Sequence, residues 1–214
     1  MLELRMIRVL IADDHTLLRK GLVRILDAEA TIEVVGEASN GREALLLFAT
    51  TQPDVLVLDI VMPEKDGLDV TKELLIHHPD ARILVLSAHE EVEFVSRLLQ
   101  AGAKGFLPKD AEPKTLVAAV TAVATGGSYL TDEATVGLAQ RTTSGQDSEV
   151  RLSDREFQVM RLIAAGTRNR VIATMLHISN KTVDTHRARV LQKLGLETNA
   201  DIARYAVRHG LVAT

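Results

Sequence analysis

The 214-residue sequence contains no cysteine. This absence excludes a disulfide scaffold, thiolate metal sites and catalysis by a thiol. The longest apolar runs are too short to cross a bilayer, and the first residues lack the apolar core and small-residue cleavage site of a signal peptide. We therefore expect a soluble cytoplasmic protein with no membrane partner.

Charge is distributed unevenly, although the net charge is only −4. Residues 149–214 hold 11 Lys+Arg against 6 Asp+Glu, a balance of +5, whereas residues 1–148 hold 14 against 23, a balance of −9. An acidic front and a basic back indicate two modules with different partners. The polar, glycine-containing stretch 142–150 is the best linker candidate between them.

The front of the chain alternates short apolar runs with segments of helical periodicity. The runs predict strands at Ile7–Ala12, Ile32–Ala38, Val55–Asp59, Ile83–Ser87 and Gly105–Pro108. Helices are predicted over 15–28, 42–50 with Asn40 as cap, 68–78, 90–101 and 111–125. Five strands alternating with five helices predict an α/β fold with a parallel sheet covered on both faces and right-handed crossovers.

Polar side chains stand where four of these strands end. Asp13 and Asp14 follow the first strand, Asp59 ends the third, Ser87 ends the fourth and Lys109 follows the fifth. Since the carboxyl ends of parallel strands share one edge, which is where ligands bind in open α/β sheets, these residues should converge. Each one alone is explained equally well as a helix cap or a solvated loop charge, so their common position carries the argument.

Carboxylates gathered at one site repel each other, so positive charge must offset them. A hard divalent cation such as Mg²⁺ prefers oxygen ligands, and Lys109 adds a further positive charge. An aspartate carboxylate can act as a nucleophile and become an aspartyl phosphate. Ser87 then offers a hydroxyl donor to the phosphoryl oxygens.

Residues 6–125 resemble the receiver domain of bacterial two-component response regulators. The resemblance rests on Asp13-Asp14, Asp59 with Met62-Pro63 and Gly67, Ser87-Ala88, and Phe106 with Lys109. It implies a flavodoxin-like, five-stranded parallel sheet of order 2-1-3-4-5.

The resemblance also implies the ligands of the acidic site. Asp59 matches the phospho-accepting position. Asp14 matches the direct Mg²⁺ ligand and Asp13 its mostly water-mediated partner, with Asp59 itself and the main-chain carbonyl of Val61 completing the set. Lys109 matches the cation beside the phosphoryl group.

Two further positions match the residues that respond to phosphorylation. Ser87 matches the hydroxyl that closes on the phosphoryl group, and Phe106 matches the switch aromatic that moves with it. One departure is that Lys109 is followed by Asp110 rather than proline, so a cis bond there would cost more. The subfamily named below commonly has this Lys-Asp pair.

The back of the chain has only helical patterns. Ser153 and Glu156 form a capping-box pattern at the first helix. A short helix is predicted over 168–176, a longer one from the cap Ser179 to Leu194, and a last one over 200–209. Short helices joined by a tight turn, the later one basic, are typical of a helix-turn-helix DNA binder.

The two faces of the long helix differ in chemistry. Val183, Val190 and Leu194 share one stripe, which predicts a core face. The outward direction holds a mixture of polar, charged and small side chains: Lys181, Thr185, Ala188 and Gln192, flanked by Asp184 and Arg189. Such side chains can meet phosphates and base edges, although a solvated helix face is the alternative interpretation.

Residues 152–212 resemble the LuxR-type helix-turn-helix. The matching positions are Leu152, Glu156, Gly166, Ile172-Ala173, Leu176, Ser179, Lys181-Thr182-Val183, His186, Lys193-Leu194-Gly195 and Arg208-His209-Gly210-Leu211-Val212. The resemblance implies base contacts by Asp184, Thr185 and Ala188, and backbone contacts by Lys181, Thr182 and Arg189. Asp184 and Ala188 replace residues that are often basic or polar, and 168–171 departs from the commoner Ser-Asn-Lys-Glu. The resemblance therefore implies DNA binding but does not give the operator sequence.

A receiver followed by this module is the arrangement of NarL/FixJ-type response regulators. We interpret the chain as a phosphorylation-switched DNA-binding transcription regulator, not an enzyme, with a receiver domain (6–125), a linker (126–148) and a DNA-binding domain (149–214). The expected partners are a sensor histidine kinase, double-stranded DNA and, once phosphorylated, a second copy of the chain.

Two alternatives stand beside this interpretation. A Mg²⁺-dependent phosphatase would need an additional acid or base beside Asp59 and would leave the basic module unexplained. A degenerate receiver that serves only as an interaction module is disfavoured by the complete acidic set.

Overall fold

The computed structural model describes residues 6–87, 92–131, 135, 152–209 and 211. The chain divides into two compact units, Met1–Val136 and Gly137–Thr214, and each is described by itself. Ala88, Gly210 and Val212, which contribute to the sequence motifs, and most of the predicted linker lie outside the described residues.

The first unit contains a parallel sheet of five strands. Its order is β2-β1-β3-β4-β5, which confirms the predicted topology. The strands are β1 (Ile7–Ala12), β2 (Ile32–Ala38), β3 (Val55–Asp59), β4 (Ile83–Ser87) and β5 (Gly105–Pro108). β3 and β4 are buried along their whole length, as expected for central strands with both faces covered.

The helices of this unit start and end within two residues of the predicted positions. They are α1 (Thr16–Asp27), α2 (Gly41–Thr51), α3 (Gly67–His77), α4 (Val92–Ala101) and α5 (Pro113–Ala124). The side chain of Asn40 caps α2 as predicted, accepting a hydrogen bond from the Glu43 N–H at 2.8 Å. Helix α5 begins two residues later than predicted, at Pro113, because proline lacks an N–H and suits the first turn.

Alternating side chains of the strands build a core on each face of the sheet. On one face, apolar residues of β1, β3, β4 and β5 pack with α1 and α5, including Val9, Val57, Leu86, Leu26 and Val120. On the other face, α2 packs on β1 and β2 and also contacts α3, which contacts α4. The two cores fix the strands in register and therefore fix the positions of their carboxyl ends.

After α5 the chain returns to the outer edge of the sheet. Tyr129 forms a parallel bridge with Gly105. The Phe106 N–H donates to the Tyr129 carbonyl at 2.8 Å, and the Tyr129 N–H donates to the Lys104 carbonyl at 3.1 Å. This short pairing covers part of the free edge of β5.

The secondary-structure elements among the described residues of the second unit are helices. The helices are α6 (Asp154–Ala164), α7 (Asn169–Met175), α8 (Asn180–Leu194) and α9 (Asn199–Arg208). Ser153 and Glu156 form the predicted capping box at α6, and Gly195 ends α8 with φ of 63°. Helix α6 packs on α8 and α9, and α7 packs on α8.

Buried side chains from all of these helices form the core of the second unit. Val183 and Val190 are fully buried, as predicted. Leu194 was also expected in the core, but it is only half-buried because α8 ends there and no further turn covers it. Among the helices that the structure describes, none has both the length and the apolar composition of a transmembrane span.

Candidate functional site

The carboxyl ends of β1, β3 and β5 bring two aspartates and a lysine into contact. Asp13 follows β1 and is fully buried, and Asp59 is the buried last residue of β3. The Nζ of Lys109 lies 2.8 Å from Oδ2 of Asp13 and 2.7 Å from Oδ2 of Asp59. One ammonium group therefore bridges two buried carboxylates at the predicted edge of the sheet.

Burial and the bridging cation act on these groups in opposite directions. Burial raises the pKa of Asp59 to about 6, the charge of Asp13 adds to this shift, and the hydrogen bond and charge of Lys109 oppose it. Burial alone would lower the pKa of Lys109, but its hydrogen bonds and charge interactions with Asp13 and Asp59 outweigh burial and raise it. At neutral pH Lys109 is charged and Asp59 is mainly ionised.

His15 also belongs to this site, although it was not among the site residues predicted from the sequence. Its Nδ1 lies 2.9 Å from Oδ1 of Asp14, 3.2 Å from Oδ1 of Asp13 and 3.9 Å from Oδ2 of Asp59. Its main-chain N–H donates to Oδ1 of Asp13 at 2.7 Å. The available signal was its position directly after the acidic pair, in the tight connection from β1 to α1.

The donor set suits a hard cation. One ligand atom from each of Asp13, Asp14, His15 and Asp59 lies within 4.8 Å of all the others. Three of these four residues offer carboxylate oxygens, the ligands that divalent cations such as Mg²⁺ prefer. The acidic cluster is therefore compatible with a bound metal ion.

The loop after Asp59 depends on a close backbone approach. The Gly67 N–H donates to the Ile60 carbonyl at 2.8 Å. A Cβ atom on Gly67 would lie 2.7 Å from the Asp59 carbonyl oxygen and 2.9 Å from Cα of Ile60. The glycine is needed because of this contact, since its φ is not positive. The Val61 N–H donates to Oδ1 of Asp59 at 3.4 Å, and the metal role of the Val61 carbonyl stays a prediction.

The two predicted switch residues lie in neighbouring strands. Ser87 is buried at the end of β4, and its carbonyl accepts a hydrogen bond from the main-chain N–H of Lys109 at 2.7 Å. Phe106 is fully buried in β5, where it pairs with Val85 of β4. Their movement on phosphorylation stays a prediction.

The outward face of α8 has the predicted composition. Its exposed residues include Lys181, Asp184, Thr185, Ala188, Arg189 and Gln192. Thr182 is half-buried, and its hydroxyl lies 2.8 Å from the hydroxyl of the cap Ser179. Neither Lys181 nor Arg189 forms an ion pair with another residue that the structure describes.

Side-chain hydrogen bonds also connect α8 to the other described helices, and the following ones were not predicted. Arg187 donates from Nε to Oδ1 of Asn199 at 2.5 Å, which joins α8 to α9. Lys193 donates to Oε2 of the buried Glu156 at 2.7 Å, which joins α8 to α6. The amide of Asn169 in α7 donates from Nδ2 to Oδ1 of Asp184 at 2.7 Å, which joins α7 to α8.

Family models match most of the chain. The response regulator receiver domain matches residues 9–121, and the luxR family of bacterial regulatory proteins matches residues 150–206. The response regulator GacA of Pseudomonas viridiflava is 38% identical over 210 residues, which cover 97% of this chain and 98% of the relative. The response regulator UvrY of Escherichia coli K12 is 36% identical over 209 residues, covering 96% of each chain.

A solved structure extends the similarity to a DNA complex. RcsB from Salmonella enterica serovar Typhimurium, bound to promoter rprA in the presence of the phosphomimetic BeF3⁻, is similar to this chain with a TM-score of 0.72 and 25% identity. The match covers 98% of this chain and 100% of the RcsB chain.

Proposed function

This chain belongs to the response regulators that join a receiver domain to a LuxR-type DNA-binding domain, and on that basis we propose that phosphorylation of Asp59 by a partner histidine kinase controls its binding to DNA. The chain is a DNA-binding transcription regulator of a two-component system and not an enzyme. This membership removes the phosphatase alternative. We assign residues 6–125 to the receiver, 126–148 to the linker and 149–214 to the DNA-binding domain.

One observation carries the assignment of Asp59. Its carboxylate ends the buried central strand β3, and this carboxylate both faces Lys109 and belongs to the cluster with Asp13 and Asp14. A nucleophilic carboxylate oxygen attacks the phosphorus of a kinase phosphohistidine, the P–N bond breaks, and an acyl phosphate forms on Asp59. The collected acidic set also argues against a degenerate receiver.

The surrounding residues have distinct parts in this reaction. Asp13, Asp14, Asp59 and the main-chain carbonyl of Val61 would hold Mg²⁺, which when bound neutralises charge on the phosphoryl oxygens. Lys109 supplies a second positive charge next to Asp59. Ser87, buried at the end of the next strand, donates its hydroxyl to a phosphoryl oxygen.

The DNA contacts divide by the chemistry of the side chains. Lys181 and Arg189 neutralise phosphates, and Thr182 contacts the backbone beside the N-terminus of α8. Asp184, Thr185 and Ala188 face the base edges. Phosphorylation favours a homodimer, and a two-fold dimer places two copies of α8 on half-sites about one DNA turn apart.

Phosphoryl transfer is tested by incubating the full chain with acetyl phosphate and Mg²⁺ and measuring its mass. We expect one phosphoryl group on the wild type, none on Asp59→Asn, and none on the wild type after chelation of the metal. The matched control is Asp80→Asn, which changes an exposed aspartate in a turn and should be labelled normally. Labelling of Asp59→Asn at the wild-type level would contradict the assignment.

A further inference from the structure

Asp184 is unusual among the residues that α8 directs outward. It is exposed, and it is the only acidic residue between Asn180 and Leu194. A carboxylate on a surface that approaches DNA is repelled by the phosphates. It is tolerated there only if it meets a hydrogen-bond donor, so its position indicates a specific contact.

The neighbouring cations do not neutralise this carboxylate. Within the described part of the chain, Asp184 forms no ion pair with Lys181, Arg189 or any other cation. The one hydrogen bond of its side chain to a described residue is the 2.7 Å contact from Nδ2 of Asn169 to Oδ1. Because only the nitrogen of an amide can donate to a carboxylate, this contact also fixes the orientation of the Asn169 amide.

The hydrogen bond from Asn169 engages only one of the two carboxylate oxygens of Asp184, so the other oxygen can accept a hydrogen bond from DNA. Asn169 is the first residue of α7, the helix that packs on α8. The amide that orients the Asp184 side chain therefore belongs to a different helix from Asp184. Oδ1 of Asp184 is held, while Oδ2 has no hydrogen-bond partner among the described residues. Fixing the side chain before DNA binds reduces the entropy cost of the contact that Oδ2 then makes.

The major groove offers a limited choice of partners for such an oxygen. Guanine and thymine present acceptors, which repel a carboxylate, and adenine presents its amino group beside the N7 acceptor. Cytosine presents the N4 amino group with no neighbouring acceptor of its own, and aspartate or glutamate accepts from this group. Cytosine is therefore the base that the geometry and charge of Asp184 favour.

We propose that Asp184, positioned by Asn169, reads a cytosine in each half-site of the operator. The inference rests on the proposed function, because it requires α8 to be the element that enters the major groove. Asp184 is the residue that touches the base, and Asn169 is a positioning residue that acts through it. Replacement of this C·G pair costs about tenfold or more in affinity.

The test is selection of bound duplexes from a pool with a randomised central stretch, using the full-length chain treated with acetyl phosphate and Mg²⁺. The selected DNA is sequenced for the wild type, Asp184→Asn, Asn169→Ala and the control Asp80→Asn. We expect a C·G pair in each wild-type half-site and an unchanged result for Asp80→Asn. In Asp184→Asn the preference at this pair moves towards adenine, because an amide can pair with both N6 and N7 of adenine.

A double-mutant cycle distinguishes positioning from general support of the fold. Asn169→Ala should weaken the preference for cytosine in the Asp184 background, and it should not alter base preference further in the Asp184→Asn background. A merely structural Asn169 would instead lower affinity for every duplex equally in both backgrounds. That second pattern would overturn the role of Asn169.

Two other results would overturn the inference. If Asp184→Asn selects the same base at every position as the wild type, Asp184 does not read a base. If the wild type retains no duplex over a wide range of salt concentration, the proposed DNA docking fails and the inference fails with it. The two failures are distinguishable because the first leaves DNA binding intact.

Discussion

Lys109 is the residue on which the charge balance of the acidic site depends. Its ammonium group is the one cation within 3 Å of both Asp13 and Asp59 among the described residues. Removal of one partner from a buried ion pair leaves an uncompensated buried charge. This destabilises the folded state more than replacement of the whole pair by apolar residues does. The stability of the first unit and the ionisation of Asp59 therefore both depend on this side chain.

Lys109→Gln should destabilise the first unit by about 3 kcal/mol near neutral pH, measured by urea unfolding. Without the cation the pKa of Asp59 should rise further above about 6. A carboxyl whose pKa is raised in the folded state binds its proton more tightly there than in the unfolded chain. Its ionisation therefore lowers the free energy of unfolding above the folded pKa, and this loss is relieved as the pH falls towards the pKa of the unfolded state. The loss of stability relative to the wild type should therefore shrink as the pH falls from the raised pKa of Asp59 in the variant towards about 6.

The control for this substitution is Lys104→Gln, which removes an exposed lysine just before β5. It should change stability by less than about 0.5 kcal/mol. If Lys109→Gln unfolds at the same urea concentration as the wild type at neutral pH, the bridging ion pair has no energetic role.

Most residues of the site could be predicted, because a strand-end position depends only on local pattern and on the parallel sheet. His15 could not be predicted as a site residue, since its approach to Asp14 depends on the backbone path between β1 and α1. The contact between Asn169 and Asp184 depends on the packing of two helices, which sequence periodicity does not encode.

At the scale of elements, the loop from β3 to α3 is shaped by Gly67. A methyl group at this position would collide with main-chain atoms of Asp59 and Ile60, which cannot rotate away. The loop would have to move, and it follows directly after Asp59, the proposed phosphoryl acceptor. Packing of α3 and the geometry of the site are therefore linked at one position.

Gly67→Ala should destabilise the first unit by about 1–3 kcal/mol, because the inserted methyl overpacks the loop, and it should slow labelling of Asp59 by acetyl phosphate. Thermal unfolding and the labelling rate measure the two effects. The matched control is Gly21→Ala in α1, where a Cβ meets no atom within 4 Å. This control should stabilise the protein by about 0.5–1 kcal/mol, as expected for alanine in a helix, without slowing labelling. Equal behaviour of the two variants would refute the steric argument.

The pair of Glu156 and Lys193 connects the ends of α6 and α8. Burial alone would raise the pKa of Glu156, but hydrogen bonds from Lys193 and Ser153 outweigh burial and lower it. A carboxyl with a lowered folded pKa contributes stability that is present above its unfolded pKa and is lost as the pH falls through the folded value. The second unit should therefore lose stability below about pH 4.5 through this group.

Glu156→Gln should reduce the stability of the second unit by about 2 kcal/mol at neutral pH, since charged hydrogen bonds are lost. The difference from the wild type should decrease as the pH falls below 4.5, when measured by chemical unfolding monitored on the helical signal. Glu197→Gln, at an exposed position after α8, is the control and should have little effect at any pH. A difference that grows on acidification would contradict the assigned direction of the pKa shift.

At the scale of the whole molecule, the chain joins an acidic α/β unit to a basic helical one, as its charge distribution predicts. The order of the strands was expected from the resemblance to receiver domains, and the parallel arrangement of the sheet was predictable because strands and helices alternate. The return of Tyr129 to the edge of β5 was not, because the stretch after α5 is rich in glycine and was assigned to the linker. The main-chain hydrogen bond from Phe106 to Tyr129 directly connects the proposed switch residue with the segment that leads to the second unit.

Ser87→Ala tests the proposed coupling without removing the acceptor. The variant should still be labelled at Asp59, but phosphorylation should raise its dimer fraction and DNA affinity less than in the wild type. The physical reason is that the phosphorylated form must favour the competent state through differential contacts, and the Ser87 hydroxyl supplies one of them. Sedimentation and DNA titration on the same samples measure both responses, and wild-type responses in the variant would exclude Ser87 from the switch.

The most direct test of the account is a DNA titration of the full chain with and without stoichiometric phosphorylation of Asp59, using one selected duplex at fixed salt concentration. We expect affinity to rise by about tenfold on phosphorylation of the wild type, a typical coupling between two sites. Asp59→Asn should show no change with the same phosphoryl donor. Equal affinity of the fully phosphorylated and unphosphorylated wild type would contradict control of DNA binding by Asp59.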